Sequence, residues 1–538
     1  MIRRTESYWA ATDDIPLVET SCAGVLRDAA LARPEHPALV EAVEDPAQRR
    51  RWTYAQLHAE AEQTARALLT VFKPGEHVAI WGGNCAEWVI LQYGLALAGL
   101  VMVTINPAAR VNELAYVLRQ SRARGVFHQT LYRGLDMSAA IAEASALEGL
   151  SLQHVSCLEA LDSFAARGVP GLPLPAIDPH QPCMIQYTSG TTGQPKGALL
   201  NHYSVTNNAR MMALIKALGP TTVNLGVAPL FHTAGCVANV LGTAQTGGTL
   251  VLPAAFEPEL MLDLIEQERV TFGFGVPTML IALLAAQAKR PRDVSSLVTM
   301  FSGATIVPIE VVRQVEARFG VTLIIGYGQT ETSPSITHTR LTDADRDKSE
   351  TIGQPIPQIE VKIIDPGTGQ ILPVDQPGEL CTRGFHVMMA YYDMPEATAA
   401  TIDADGWLHT GDLCAMDARG YCRVTGRLKD LIIRGGENIY PREVEEVLYA
   451  HDAVAEVAVF GVPDAYWGEQ VAAVVTFKAG AKASGETLRA HVAAQLARHK
   501  VPSHWYALPA IPATASGKLQ KFRLVEMFRA GELAGAAL

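Results

Sequence analysis

Residues 54–128 alternate two hydrophobic periods, and no other feature limits the possible folds of the chain so strongly. In 54–71, Ala and Leu recur at the spacing of an amphipathic helix, and His77-Val78-Ala79-Ile80-Trp81 reads as a short buried strand. A helix and a strand follow within 86–105, then a helix over 111–122 and a strand over 125–128. Strands separated by helices of that length predict an α/β fold with largely parallel sheets. Part of this region, residues 88–105, carries no charge and reaches about 18 residues, the length at which a membrane span has to be weighed. Gly94 and Gly99 interrupt it, and its β-branched end stops at Asn106-Pro107. A buried helix feeding a buried strand is therefore expected, with no integral membrane segment.

The chain has 538 residues, and about 150 residues per domain predicts three or four units. A Pro- and Gly-rich connection at 165–181 leads into a strand at 184–187. A second α/β stretch covers 200–340, and a strand-rich, Pro/Gly-punctuated region at 350–425 reads as a smaller β subdomain. From about residue 430 the tail has its own pattern, with helices at 442–449 and 488–497 and strands at 455–460 and 471–477. The expected architecture is a large N-terminal domain of two α/β subdomains plus a small β subdomain, followed by a small α+β C-terminal domain.

Charge and cysteine usage narrow the function. The net charge is −11, and nucleic-acid binding needs clustered Lys and Arg to displace counterions. Arg49-Arg50-Arg51 is too short for that and reads as a solvated loop, so no nucleic-acid partner is expected. The eight cysteines form no CxxC pair, which argues for reduced core thiols in a cytoplasmic protein rather than zinc or redox chemistry. No apolar signal region follows Met1-Ile2-Arg3-Arg4.

The densest chemical signal is Thr188-Ser189-Gly190-Thr191-Thr192-Gly193-Gln194-Pro195-Lys196-Gly197. Glycines let backbone N–H groups close around phosphate oxygens, the hydroxyls add donors, and Lys196 adds positive charge. A Walker-type loop would need Gly-Lys followed by Ser or Thr at the start of a helix. Here Lys196 is followed by Gly197 and the strand-like run Ala198-Leu199-Leu200. The loop handles phosphate by another geometry.

Together with Tyr187, this string resembles the signature loop of the adenylate-forming superfamily: acyl- and aryl-CoA synthetases, carrier-loading adenylation domains and firefly-type luciferases. Further blocks resembling that family recur in order over roughly residues 50–525. The resemblance implies an ATP-dependent enzyme with an AMP-binding domain at 1–428, a mobile C-terminal domain at 429–538, and a hinge at Lys429. In Gly326-Tyr327-Gly328-Gln329-Thr330-Glu331-Thr332, a carboxylate beside ATP phosphates would repel them unless a divalent cation lay between. Mg²⁺ takes one or two carboxylates plus phosphate oxygens, so Glu331 is the metal candidate, with Thr188 as its hydroxyl partner. Asp412 resembles the ribose-binding acid of the family, because one carboxylate can accept from both vicinal hydroxyls. Arg427 is implied as a further ribose or phosphate contact. By analogy, the turn Ser302-Gly303-Ala304-Thr305 flanks adenine and the acyl group.

Lys518, in Thr514-Ala515-Ser516-Gly517-Lys518-Leu519, resembles the adenylation lysine and would stabilise charge developing between the acid and the α-phosphate. His232, in Pro229-Leu230-Phe231-His232-Thr233-Ala234-Gly235, is by itself a core histidine as readily as a functional one. The resemblance makes it a pocket and gate residue rather than a base, since a carboxylate is already ionised at neutral pH. Gly435, Gly436 and Glu437 are implied to border a pantetheine channel. The implied acceptor is CoA, and residues 431–443 with 517–522 look most like medium-chain fatty acyl-CoA synthetases. Phe231, His232, Phe272, Phe274, Val276, Gly303 and Ile336 are the acyl-pocket candidates. Aryl, alicyclic and dicarboxylic acids stay open, as do a carrier-protein acceptor and a homodimeric state.

Overall fold

Four parallel strands, His77–Trp81, Val101–Ile105, Gly125–His128 and His154–Cys157, form most of a seven-stranded sheet with Pro182–Thr188, which also runs parallel. Lys196–Asn201 and Ala390–Tyr391 close one edge antiparallel. The computed structural model describes residues 4–147, 150, 152–188, 195–303, 307–435, 437–513 and 519–538. A nine-stranded sheet runs Gln354–Pro355, Ser335–His338, Thr322–Gly328, Thr299–Gly303, Phe272–Phe274, Val223–Leu225, Thr249–Pro253, Pro37–Ala42, Arg51–Thr53 in spatial order. Its interior strands are parallel and its edges antiparallel. A third sheet, of five antiparallel strands, ends with Gly378–Gly384, Leu408–Met416 and Cys422–Arg427.

These three sheets make the large N-terminal α/β domain. After Arg427 the chain passes through a short 3₁₀ turn, Leu428–Asp430, into the hairpin Ile432–Arg434 and Glu437–Ile439. That hairpin joins Gly468–Phe477, Val454–Asp464 and His504–Ala507, on which the helices Pro441–Tyr449 and Gly485–Ala493 pack. The smaller C-terminal domain is thus α+β.

The uncharged stretch divides as the sequence predicts, into the helix Ala86–Leu97 and the strand Val101–Ile105. Beyond Glu87 in its first turn the helix is almost wholly apolar, and it is buried between Tyr54–Leu68 on one side and the sheet on the other. Full burial of side chains such as Leu91, Leu95 and Phe127 contributes roughly 1.5–3 kcal/mol each. Among the described residues no helix is long and apolar enough to cross a membrane. All eight cysteines are free, and six are buried.

The reading of Arg49-Arg50-Arg51 as a solvated loop is corrected. The Arg49 side chain is fully buried and pairs with Glu268 at 2.6 Å, while Arg51 begins a strand and pairs with the same carboxylate at 2.7 Å. Arg50 bridges Glu41 and Glu87. Local sequence showed three like charges; the acid that pairs with two of them is more than 200 positions away.

Candidate active site

The strand Thr322–Gly328 ends at the carboxyl edge of the parallel part of the nine-stranded sheet, where open α/β sheets bind ligands. Gly326 lies opposite Gly303 on the neighbouring strand. A Cβ at Gly326 would stand 2.7 Å from the Phe301 ring and 2.8 Å from His338, so only glycine fits, and the sheet surface here stays bare backbone. Beyond it, Tyr327 and Gln329 reach the five-stranded sheet. The Tyr327 hydroxyl donates to Asp412 Oδ2 at 2.7 Å, and Gln329 Nε2 donates to the same oxygen at 3.2 Å and to the Thr410 carbonyl at 2.8 Å. Burial and the adjacent Asp412 charge push the Tyr327 phenol well above its ordinary pKa, so it stays a donor.

Asp412 pairs in register with Arg427 on the adjacent strand, and Arg427 Nε lies 3.3 Å from Asp412 Oδ1. The loop that presents Asp412 is held by a residue the sequence reading missed. Glu379 accepts from the Gly411 amide at 3.1 Å through one oxygen and contacts His409 Nδ1 at 2.8 Å through the other. In Gly378-Glu379-Leu380 the sequence shows one acid on a strand that also carries Arg383, and nothing local marks its role.

Two residues past Gln329, the chain turns through Thr330–Thr332 and buries Glu331, 9% exposed. Glu331 Oε1 accepts from the Tyr391 hydroxyl at 2.7 Å, and its carbonyl accepts from the Met388 amide. Tyr391 lies beside Ala198 on the edge of the seven-stranded sheet, and the Lys196 ammonium lies 4.9 Å from its ring centroid. Tyr391 was also missed, because it stands far along the chain from both partners' motifs. One segment, 326–332, therefore joins groups from all three sheets of the large domain. It puts Asp412 and Arg427 at one end and Glu331, Tyr391 and Lys196 at the other.

Thr188 ends the strand Pro182–Thr188 opposite Lys196, whose carbonyl accepts from its hydroxyl at 3.4 Å. Ser189, Gly190, Thr191, Thr192 and Gly193 of the phosphate loop, together with Ala304, Gly436 and Lys518, lie outside the described residues. The donor set of Glu331 and Thr188 fits Mg²⁺. One carboxylate and one hydroxyl suit a small hard cation that keeps waters and phosphate oxygens as its other ligands.

Of the acyl-pocket candidates, Phe231, Phe274 and Val276 are each half-buried, while Phe272 is buried. His232 is exposed rather than a core residue; its ring lies 4.2 Å from that of Phe231 and it leads into a π-helical segment, Ala234–Leu241. Ile336 is 0% exposed and packs with Met211, Ile352 and Ile356 in a core shared with the five-stranded sheet. The structure does not bring it to Phe274. In the C-terminal domain Gly435 has φ +60° and donates its amide to the Trp467 carbonyl at 2.8 Å, with Glu437 exposed beside it. Lys429 lies in the turn before the hairpin.

Residues 26–392 match the AMP-binding enzyme family, and residues 443–518 match the AMP-binding enzyme C-terminal domain. The putative acyl-CoA synthetase YngI of Bacillus subtilis strain 168 is 39% identical over 95% of this chain and 98% of its own length. The human mitochondrial medium-chain acyl-CoA ligase ACSF2 is 33% identical, covering 92% of this chain and 85% of its own. The structure of ATP-bound MatB from Rhodopseudomonas palustris superposes with a TM-score of 0.85 at 28% identity, over 95% of this chain and 99% of MatB. A nucleotide site with this architecture supports ATP-dependent, adenylate-forming acid–thiol ligation. The chain belongs to the AMP-binding enzyme family.

Proposed function

We propose that this enzyme converts a medium-chain carboxylic acid into its CoA thioester by way of an acyl-adenylate. The observation that carries the reading is the convergence of three sheets on residues 326–332, with an ion pair at one end and, at the other, a buried carboxylate and a lysine that both contact Tyr391. The likeness to a ligase named for medium-chain acids supports the choice of acid.

The acid, ionised at neutral pH, attacks the α-phosphorus of ATP; the bond to the bridging oxygen of the β-phosphate breaks and pyrophosphate leaves. Asp412 accepts from the ribose hydroxyls, Arg427 holds the ribose or a phosphate, and Lys196 with the loop at 188–197 grips the departing phosphates. Gly303, Ala304, Gly326, Tyr327 and Gly328 flank adenine. Bound Mg²⁺ would neutralise phosphate charge, and Glu331 and Thr188 would hold it. Lys518 places its cation where negative charge develops. The CoA thiolate then attacks the acyl carbonyl, AMP leaves, and the thiol proton passes to solvent. In this second step the C-terminal domain turns about Lys429 and the Gly435-Gly436 turn, next to Glu437, borders the pantetheine.

CoA-dependent AMP release across acids from butyrate to palmitate, with benzoate and cinnamate, tests the proposal. A maximum among medium-length acids is expected. AMP release indifferent to free CoA would point to a carrier-protein acceptor, and a preference for the aromatic acids would replace the acid assigned here.

Glu331→Gln should raise the Mg²⁺ concentration needed for pyrophosphate exchange and lower its maximal rate about a hundredfold, as loss of a charge-assisted contact predicts. Tyr391→Phe, which removes one hydrogen bond to Glu331, should cost about tenfold. An unaltered Mg²⁺ dependence in Glu331→Gln would remove Glu331 from the metal site.

A further inference from the structure

Lys216 caps the C-terminus of the helix His202–Ile215 and is only 4% exposed. Among the described residues no carboxylate contributes to the titration of its ammonium, which burial alone shifts. It sits instead over two aromatic faces, 4.0 Å from the Phe301 centroid and 5.5 Å from that of Phe272. Burial without a counter-charge lowers its pKa to about 7. A buried cation left in this way is rare in a structural core, because removing it from water costs free energy that only a partner restores.

The place of this lysine identifies the partner. Phe301 belongs to the strand that ends at Gly303, and its ring lies 5.9 Å from Phe274 and 5.2 Å from His338, stacked on the latter at 27°. Phe301 and His338 are the two side chains that a Cβ at Gly326 would strike. The Lys216, Phe301 and His338 group is therefore the layer directly behind the bare backbone of the nucleotide motif. An acyl chain that left the adenylate past Gly303 along Phe274 and Phe301 would approach Lys216. His338 is 1% exposed, and among the described residues its Nδ1 has no partner. Burial, then the Lys216 and Arg340 charges, hold its pKa well below the usual histidine range, so the ring stays neutral. Both groups thus lie against the Phe301 ring.

We propose that Lys216, with His338 beside it, recognises an oxygen at the far end of the acid, so that the substrate is a medium-length acid carrying a distal carboxylate or carbonyl. A plain alkyl terminus would leave the ammonium unpaired, whereas an accepting oxygen would satisfy it by a charge-assisted hydrogen bond. The inference rests on the acyl-CoA synthetase reading above and assigns the chemical class of its acid.

The test compares octanoate, suberate and 7-oxooctanoate, which share a chain length, by acid-dependent pyrophosphate exchange with the full chain. The wild type should favour at least one oxygenated acid over octanoate by about ten- to a hundredfold in kcat/KM, the range for a hydrogen bond to a charged group. Suberate and 7-oxooctanoate separate a carboxylate from a carbonyl. Lys216→Met should collapse that ratio at least tenfold while KM for ATP stays put, and Lys216→Arg should preserve it. A wild type that prefers octanoate to both would overturn the proposal without reference to any variant. So would a ratio unchanged in Lys216→Met. Failure to exchange pyrophosphate with any acid would instead strike at the acyl-CoA synthetase reading, and is seen separately.

Discussion

Asp412→Ala should lower kcat/KM for ATP by about 10²- to 10⁴-fold, measured as acid-dependent pyrophosphate exchange. The size follows from the hydrogen bonds that the carboxylate makes. Two ribose hydroxyls would be left without a charged acceptor, and each such bond is worth about 1.5–3 kcal/mol, or roughly one to two decades. The protein side suffers as well. Tyr327, Gln329 and Arg427 all converge on this carboxylate, so its removal leaves a phenol, an amide and a guanidinium to rearrange. Asp412→Asn keeps an accepting oxygen but no charge, and should retain about one to two decades more activity than the alanine variant. Tyr327→Phe serves as the control for preorganisation, since it removes one donor to Asp412 and no substrate acceptor. An ATP dependence untouched in Asp412→Ala would take this residue out of the nucleotide site.

The sequence is most informative where a pattern is local. The strand His77–Trp81 and the strand Gly125–His128 have the ends that periodicity predicts, because each apolar run is bounded by turn residues. The helix Tyr54–Leu68 stops three residues short of the predicted end, where apolar Leu69 and Val71 continue the pattern beyond the last helical turn. Motif residues such as Tyr327, Asp412 and Glu331 were visible because their neighbours carry the same chemistry. Their supports were not. Glu379 reads as one acid on a strand, and only the fold places it under the Gly411 amide. Tyr391 reads as an ordinary aromatic until strand pairing sets it beside Ala198 and within reach of Glu331. Ile336 misled in the opposite direction. Next to the motif in sequence, it alternates away from it along its strand into another core. Lys216 carried no sequence signal at all, since a lysine just past an amphipathic helix is ordinarily solvated.

Lys518→Ala should cut acyl-adenylate formation by about 10²–10³-fold or more, yet leave thioester formation from supplied acyl-AMP close to wild type. The lower bound is the effect of losing one preorganised charge-stabilising donor from a transition state. The asymmetry follows from the proposed rotation: Lys518 faces the site only while the α-phosphate is attacked, and Gly435-Gly436 replaces it when the thiol enters. Bulky substitution at Gly436 should give the opposite pair of results, with exchange of pyrophosphate retained and transfer to CoA lost. Gly435 is a sterner version of that test. Its φ of +60° is strained for any side chain, and a Cβ would fall 2.7 Å from the Trp467 ring. Gly435→Val should therefore displace the hairpin against Trp467 and impair transfer, while Asp412 and Glu331, on other sheets, keep their hydrogen bonds. Lys429→Pro, in the 3₁₀ turn between Arg427 and Ile432, should slow passage between the two steps when both are coupled but change each isolated half-reaction less. Equal loss of both half-reactions in Lys518→Ala would rule out alternation, because a residue needed equally in each step cannot belong to one orientation alone.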